Sequence, residues 1–160
     1  MVLAPPPSRC SPRPPSTSPA PASGSAAEQK FDGHRTILFT PAGPGGRLLL
    51  QTRRGSLVQD RFADLVAAAE QLPEGLVLDG SSSSGTPRPG GRLSFEALQR
   101  RAAARGRTAT ALAAKSPAFF IAFDVLQQDG TELLTRPYHE RRRILADLFD
   151  THQLSAPWTL

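Results

Sequence analysis

An α+β fold with largely antiparallel sheet is predicted by three features of this chain. Strand-like runs come in pairs, helical segments stand singly between them, and the regular strand-helix alternation of a parallel sheet is missing. At 160 residues the chain can bury one core, or part of a larger one, so a single domain is the starting expectation.

Residues 1–25 are dominated by Pro, Ser and Ala and lack apolar periodicity. Such a segment cannot bury enough surface to offset the entropy of ordering, so a disordered arm is expected there, followed by the structured part at 26–160. HRTILFT and RLLLQTRR are strand-like, and the turn-forming PAGPGG between them predicts a hairpin over residues 30–54. FADLVAAAEQL carries Phe62, Leu65, Val66 and Ala69 at helical spacing, with Pro73 and Gly75 as stops; the strand LVLDG follows. SSSSGTPRPGGR offers no core-forming side chain and reads as a loop. Ser94 then caps the helix FEALQRRAAA, with Phe95, Leu98 and Arg101 at helical spacing, and TATALAAK gives a further helical turn or two. AFFIAFDVL is a continuous apolar run expected to form a buried strand, ended by the turn QQDG. HERRRILADLFDTH predicts an amphipathic helix with Ile144, Leu145, Leu148 and Phe149 inward. No internal repeat is found.

The net charge of +5 is carried almost wholly by arginine, since Lys30 and Lys115 are the only lysines. That favours anionic partners such as nucleic acid or nucleotides. A gene rich in G and C would also enrich Arg, Ala, Gly and Pro, so composition leaves both explanations open. No apolar run approaches the length that crosses a bilayer, and residues 1–27 lack the basic start and apolar stretch of an export signal. No membrane partner and a cytoplasmic location are therefore expected. Cys10, the single cysteine, can form no internal disulfide or multi-cysteine zinc site and reads as an incidental surface thiol. His34, His139 and His152 are scattered without ligand spacing, so they are read as non-catalytic and no protein metal site is assigned.

The segment Glu28-Gln29-Lys30-Phe31-Asp32-Gly33-His34-Arg35 sets a lone lysine beside an acid and a glycine. On its own it could be a surface turn in which Asp32-Gly33 reverses the chain. It is similar to the Lys-x-Asp-Gly-x-Arg motif of the covalent nucleotidyltransferases: DNA ligases, RNA ligases and capping enzymes. Further pieces follow in that family's order. Thr52-Arg53-Arg54-Gly55 resembles its Ser-Arg-x-Gly element, and Leu78-Asp79-Gly80 resembles its strand ending Asp-Gly-Glu. Residues 121–126 resemble its next strand, and Arg136-Pro137-Tyr138 with Glu140-Arg141-Arg142 the start of the helix after it. The likeness covers residues 26–160 and is strongest to the bacterial ATP-dependent DNA ligases of repair, as the front part of their adenylation domain.

The resemblance implies that Lys30 takes AMP from ATP, with Mg²⁺ aiding, and that the nucleotide passes to a nick in double-stranded DNA, the enzyme acting as a monomer. An amine attacks the α-phosphorus only when unprotonated, so Lys30 would need a lowered pKa. By resemblance, Glu28 and Gln29 would lie along the adenine edge, Arg35 would reach the ribose and phosphates, and Phe123 would stack on adenine. Burial alone favours a core role for Phe123. Arg53 and Arg54 would suit nucleic-acid phosphates, although paired arginines at a hairpin end are more often a solvated surface.

Two departures stand against the family pattern. Ser81 occupies the position of the glutamate that holds the ribose, which should weaken nucleotide binding. The chain also stops at Leu160, before the family's later elements, so little or no ligation is expected from it alone. Residues 80–86 read Gly-Ser-Ser-Ser-Ser-Gly-Thr, which a one-base frame change in a coding string for Gly-Glu-Leu-Val-Val-Trp-Asp would produce. Such a change is expected to replace a buried strand by a polar loop. The alternative to a ligase fragment is a non-catalytic nucleic-acid-binding remnant that uses its arginine-rich surface.

Overall fold

The computed structural model describes residues 33–85 and 94–160. The proposed arm with Cys10, and the candidate residues Glu28, Gln29 and Lys30, lie outside them. Alternating apolar residues make β1 (His34–Phe39) and β2 (Leu49–Thr52), the expected hairpin. Thr36, Leu38 and Leu50 turn inward and are buried. A 3-10 turn (Gln59–Arg61) leads into α1 (Ala63–Ala68), which tightens to a second 3-10 turn (Ala69–Gln71). This helix is shorter than its apolar period suggests, although Phe62 and Leu65 reach the core as expected.

β3 (Val77–Ser84) contradicts the loop predicted for the serine run. Ser81, Ser82, Ser83 and Ser84 continue the strand and are at most 4 % exposed. Low strand propensity is overridden because β3 lies between β1 and β4 (Ala118–Gln128) and pairs with both. Burial of hydroxyls needs partners. Ser82 Oγ donates to Thr36 Oγ1 at 3.1 Å, and Ser84 Oγ donates to the Ser116 carbonyl at 2.8 Å. The buried strand is therefore present, built of serine, and no polar loop replaces it over these four residues.

Ser94 caps α2 (Phe95–Ala103), accepting from the Ala97 amide, and α3 (Gly106–Lys115) follows. Leu98 and Arg101 face inward as the spacing predicts, whereas Phe95 is 46 % exposed and rests edge-on against His34. After β4, Asp129 and Gly130 take positive φ in the tight turn to β5 (Thr131–Glu132). α4 (Tyr138–Thr151) buries Leu145, Leu148 and Phe149 against the sheet, and Ile144 packs at the edge of that core. No sequence signal marks β6 (Trp158–Thr159), which pairs parallel to β4; among the described residues every other ladder is antiparallel. The sheet order β2-β1-β3-β4-β5 with single helices packed on it makes the α+β class plain.

Arg101 ties the helical layer to the sheet. Its side chain is fully buried, and its guanidinium donates twice to Asp64 of α1, once to the Arg61 carbonyl and once to the Ser116 carbonyl just before β4. Asp64 also accepts from the Ala118 amide at 2.7 Å, and the Phe62 ring lies 5.4 Å from the guanidinium carbon. Burial pushes the Asp64 carboxyl up, but the hydrogen bonds from Arg101 and Ala118 and the Arg101 charge outweigh it, leaving it below its ordinary value.

Removing one partner of a buried ion pair leaves the other uncompensated. Arg101→Leu should lower unfolding stability by about 3–5 kcal/mol in urea titrations. For Asp64 the folded pKa lies below the unfolded one, so its contribution is complete above about pH 4 and is lost as pH falls through the folded value. The stability gap between the unsubstituted chain and Asp64→Asn should therefore narrow below about pH 4, measured by urea unfolding at pH 7, 4 and 3.

Candidate functional site

Residues far apart in sequence meet where β1, β2 and β3 run side by side. Arg35 lies opposite Ser81, and Ile37 opposite Asp79, so these four share the sheet face turned away from Thr36 and Leu38. On that face Arg35 Nε donates to Asp79 Oδ1 at 3.0 Å and Nη2 donates to Asp79 Oδ2, a two-point grip on a mostly exposed guanidinium. The Asp79 bond and charge raise the Arg35 pKa further. Two of five donors are spent, so the guanidinium is oriented by Asp79 yet keeps N–H groups for a second anion.

Both motif glycines are required by close approach. A Cβ on Gly33 would lie 2.1 Å from Ser81 Oγ and 2.8 Å from the Ser82 carbonyl, so the chain enters β1 pressed against the serine stretch of β3. A Cβ on Gly80 would lie 2.3 Å from the Ile121 carbonyl and 2.6 Å from the Phe120 ring. Ser81 is the obstacle at Gly33, which a longer side chain in its place would have to clear by turning aside.

Phe123 stands at an irregularity of β4. Asp79 pairs with Asp124 and Gly80 with Ala122, so Phe123 is the extra residue of a β-bulge. It is half-buried and outside the buried core cluster, which removes the core role that burial alone favoured. Its carbonyl accepts from Tyr138 Oη at 3.4 Å. Beside it Asp124 is gripped by Arg141 of α4 through contacts of 2.6 to 3.2 Å, which raise the Arg141 pKa. Asp79 and Asp124, directly opposed like charges, are thus each neutralised by an arginine from a different element.

Arg53 and Arg54 lie in the turn after β2 and line a cleft of about 590 Å³ together with His34, Arg35 and Arg61. Arg35, Thr52 and Arg53 also line a smaller neighbouring hollow of about 230 Å³. The structure thus brings Arg35, Arg53 and Arg54 together. Phe123 lies two strands from Arg35 and lines neither hollow, while Lys30, Glu28 and Gln29 lie outside the described residues. Arg61 was missed by sequence reasoning, because a lone arginine before a helix carries no local signal that it faces a turn seven positions back.

Comparison with known proteins decides the lineage. Residues 18–157 match the model of the ATP dependent DNA ligase domain. The chain belongs to the ATP-dependent DNA ligase family. Within this family it is 36 % identical over 143 residues to a probable DNA ligase of Opitutus terrae, covering 86 % of this chain and 14 % of that one. It is 37 % identical over 123 residues to DNA ligase C2 of Mycolicibacterium smegmatis, covering 76 % and 33 %. With the multifunctional non-homologous end joining protein LigD of Mycobacterium bovis it shares 34 % over 137 residues, covering 82 % and 15 %. The chain spans a third or less of the length of these ligase relatives. The matched stretch contains the Arg35, Arg53, Asp79 and Phe123 positions described above, and it begins within the segment read as an arm.

The two glycines predict different penalties. Gly80→Ala meets a backbone carbonyl and should cost about 1–3 kcal/mol with no side chain able to relieve it. Gly33→Ala meets chiefly a hydroxyl, so Ser81→Gly in the same chain should recover part of the loss in urea unfolding.

Proposed function

We propose that this chain supplies the lysine-bearing part of a ligase adenylation domain, with Lys30 accepting AMP from ATP. The observation that carries the reading is convergence. Three stretches of the family resemblance, at residues 33–35, 52–55 and 79–80, fall on β1, at the end of β2 and on β3, which lie side by side, and the ion pair of Arg35 with Asp79 joins two of them.

In the proposed step the unprotonated Nζ of Lys30 forms a bond to the α-phosphorus of ATP, the bond from that phosphorus to the bridging oxygen breaks, and pyrophosphate leaves. The amine proton passes to solvent or base. Arg35, already oriented by Asp79, offers its remaining N–H donors to the phosphates, where paired guanidinium donors suit the geometry. The half-buried ring of Phe123, set at a bulge, would give the adenine a flat apolar partner. Glu28 and Gln29 would lie along the adenine edge, and Arg53 and Arg54 would contact DNA. The AMP would then activate the 5′-phosphate at a nick in double-stranded DNA for displacement by the 3′-hydroxyl. Among the described residues no group of three His, Cys, Asp or Glu side chains is placed to hold a metal, and Asp79 and Asp124 are each taken by an arginine. Mg²⁺ would accompany the ATP phosphates and spread the charge that develops on them, and no step here runs through a protein-held ion.

A second reading, a nucleic-acid-binding unit without nucleotidyl transfer, is favoured by the arginine-lined cleft and by Ser81 in place of the family's glutamate. Incubation with ATP labelled at the α-phosphate separates the two. The first reading expects acid-labile label on the denatured chain, absent from Lys30→Ala and reduced at least tenfold in Arg35→Ala. Salt-sensitive DNA binding with no label would support the second.

A further inference from the structure

We propose that Arg61 is a third phosphate-contacting residue, closing the cleft beneath Arg53 and Arg54 so that one backbone strand of duplex DNA seats between the β2 turn and the helical layer. Four arginines line this cleft, and no acidic side chain stands among its described lining residues. Arg35 is paired with Asp79. Arg53, Arg54 and Arg61 have no ion-pair or side-chain hydrogen-bond partner among the described residues. Three arginines lining one hollow with no ion-pair partner among the described residues repel each other, and an anion with several oxygens relieves that repulsion.

The three differ in how they are held. Arg53 and Arg54 are exposed on a turn closed by the Gly55 amide donating to the Thr52 carbonyl. Arg61 is half-buried, and its backbone carbonyl accepts from the fully buried Arg101 at 3.2 Å. Its main chain is therefore tied to the Asp64–Arg101 clamp, and the residue lines both this cleft and a neighbouring hollow of about 280 Å³ that Asp60 and Arg105 also line. Thr52 and Ser56 add hydroxyl donors, and Val58 and Phe62 give an apolar wall. Through Arg35, Thr52 and Arg53 the cleft adjoins the smaller hollow on the Asp79 side, so an extended chain of phosphates can pass from one to the other. That continuity favours a polymer backbone over a single small anion.

The inference deepens the ligase reading only in naming DNA as the polyanion. It is tested on the full chain with a fluorescent nicked duplex, by anisotropy from about 50 to 200 mM salt. Arg61→Gln, which keeps most of the stem, should bind about three- to tenfold more weakly at the low end and lose about one unit of the log-log salt slope. Arg61→Lys should recover the slope, and Arg143→Ala, an exposed arginine of α4, should leave it unchanged. An unchanged slope in Arg61→Gln, an equal loss in Arg143→Ala, or no duplex binding by the unsubstituted chain would each overturn the assignment. So would displacement of the duplex by ATP from the unsubstituted chain but not from Arg61→Gln, since the cleft would then be a nucleotide site. Label from ATP on Lys30 should persist in Arg61→Gln. Its absence from the unsubstituted chain as well would sink the ligase reading while leaving the cleft result standing.

Discussion

One buried guanidinium holds the helical layer to the sheet. Arg101 reaches from α2 to Asp64 of α1, to the carbonyl of Arg61 and to that of Ser116, and Asp64 completes the circuit at the first amide of β4. Three residues that are 15 to 40 positions from Arg101 in sequence, Ser116, Asp64 and Arg61, are thereby fixed to one planar group. An apolar residue could fill the same volume, but it could not fix the angle at which Arg61 leaves its 3-10 turn. Arg61 also lines the cleft with Arg53 and Arg54, so its main chain links that surface to the buried clamp.

The sheet does a second kind of work. β3 is central, so its residues 77–82 meet β1 on one side and β4 on the other, and Ser83 and Ser84 continue along β4. Gly33 and Gly80 let these neighbours come close, and Ser82 and Ser84 beyond Gly80 donate their hydroxyls to Thr36 and to the Ser116 carbonyl. The arrangement sets Asp79 under Arg35 and opposes Asp124 to it, with the bulge at Phe123 between the two pairs. A charged network on a half-open sheet face costs less than one in the core, because water still reaches the arginines. That face belongs to a chain spanning 14 % of the Opitutus terrae ligase and 33 % of DNA ligase C2.

Much of this was legible before any coordinates. The hairpin, the Ser94 cap, the long strand β4 and the amphipathic α4 all announce themselves through apolar period and capping chemistry. The inward spacing of Arg101 was visible too, but not its partner, since Asp64 is 37 positions away and looks like any acid in the first turn of a helix. The serine half of β3 was misread because strand signals are side-chain signals, whereas burial here is imposed by flanking strands. β6 has two residues, too few to show a period. Phe123 needed the register: nothing in AFFIAFDVL tells a core phenylalanine from a bulge residue. Of the candidate site, Arg35, Arg53 and Arg54 stand out in the sequence through their motifs, but that they line one cleft, with Arg61 among them, emerges only from the fold.

The proposed reaction attaches a nucleotide to one nitrogen, that of Lys30. Tandem mass spectrometry of the folded chain after exposure to ATP and Mg²⁺, digested at neutral pH to spare a phosphoramidate, tests it most directly. An adenylyl group on the peptide containing residue 30, carried by the lysine nitrogen, is the predicted result. An adduct confined to Lys115 or to a histidine, or a folded chain that remains unmodified, would contradict it.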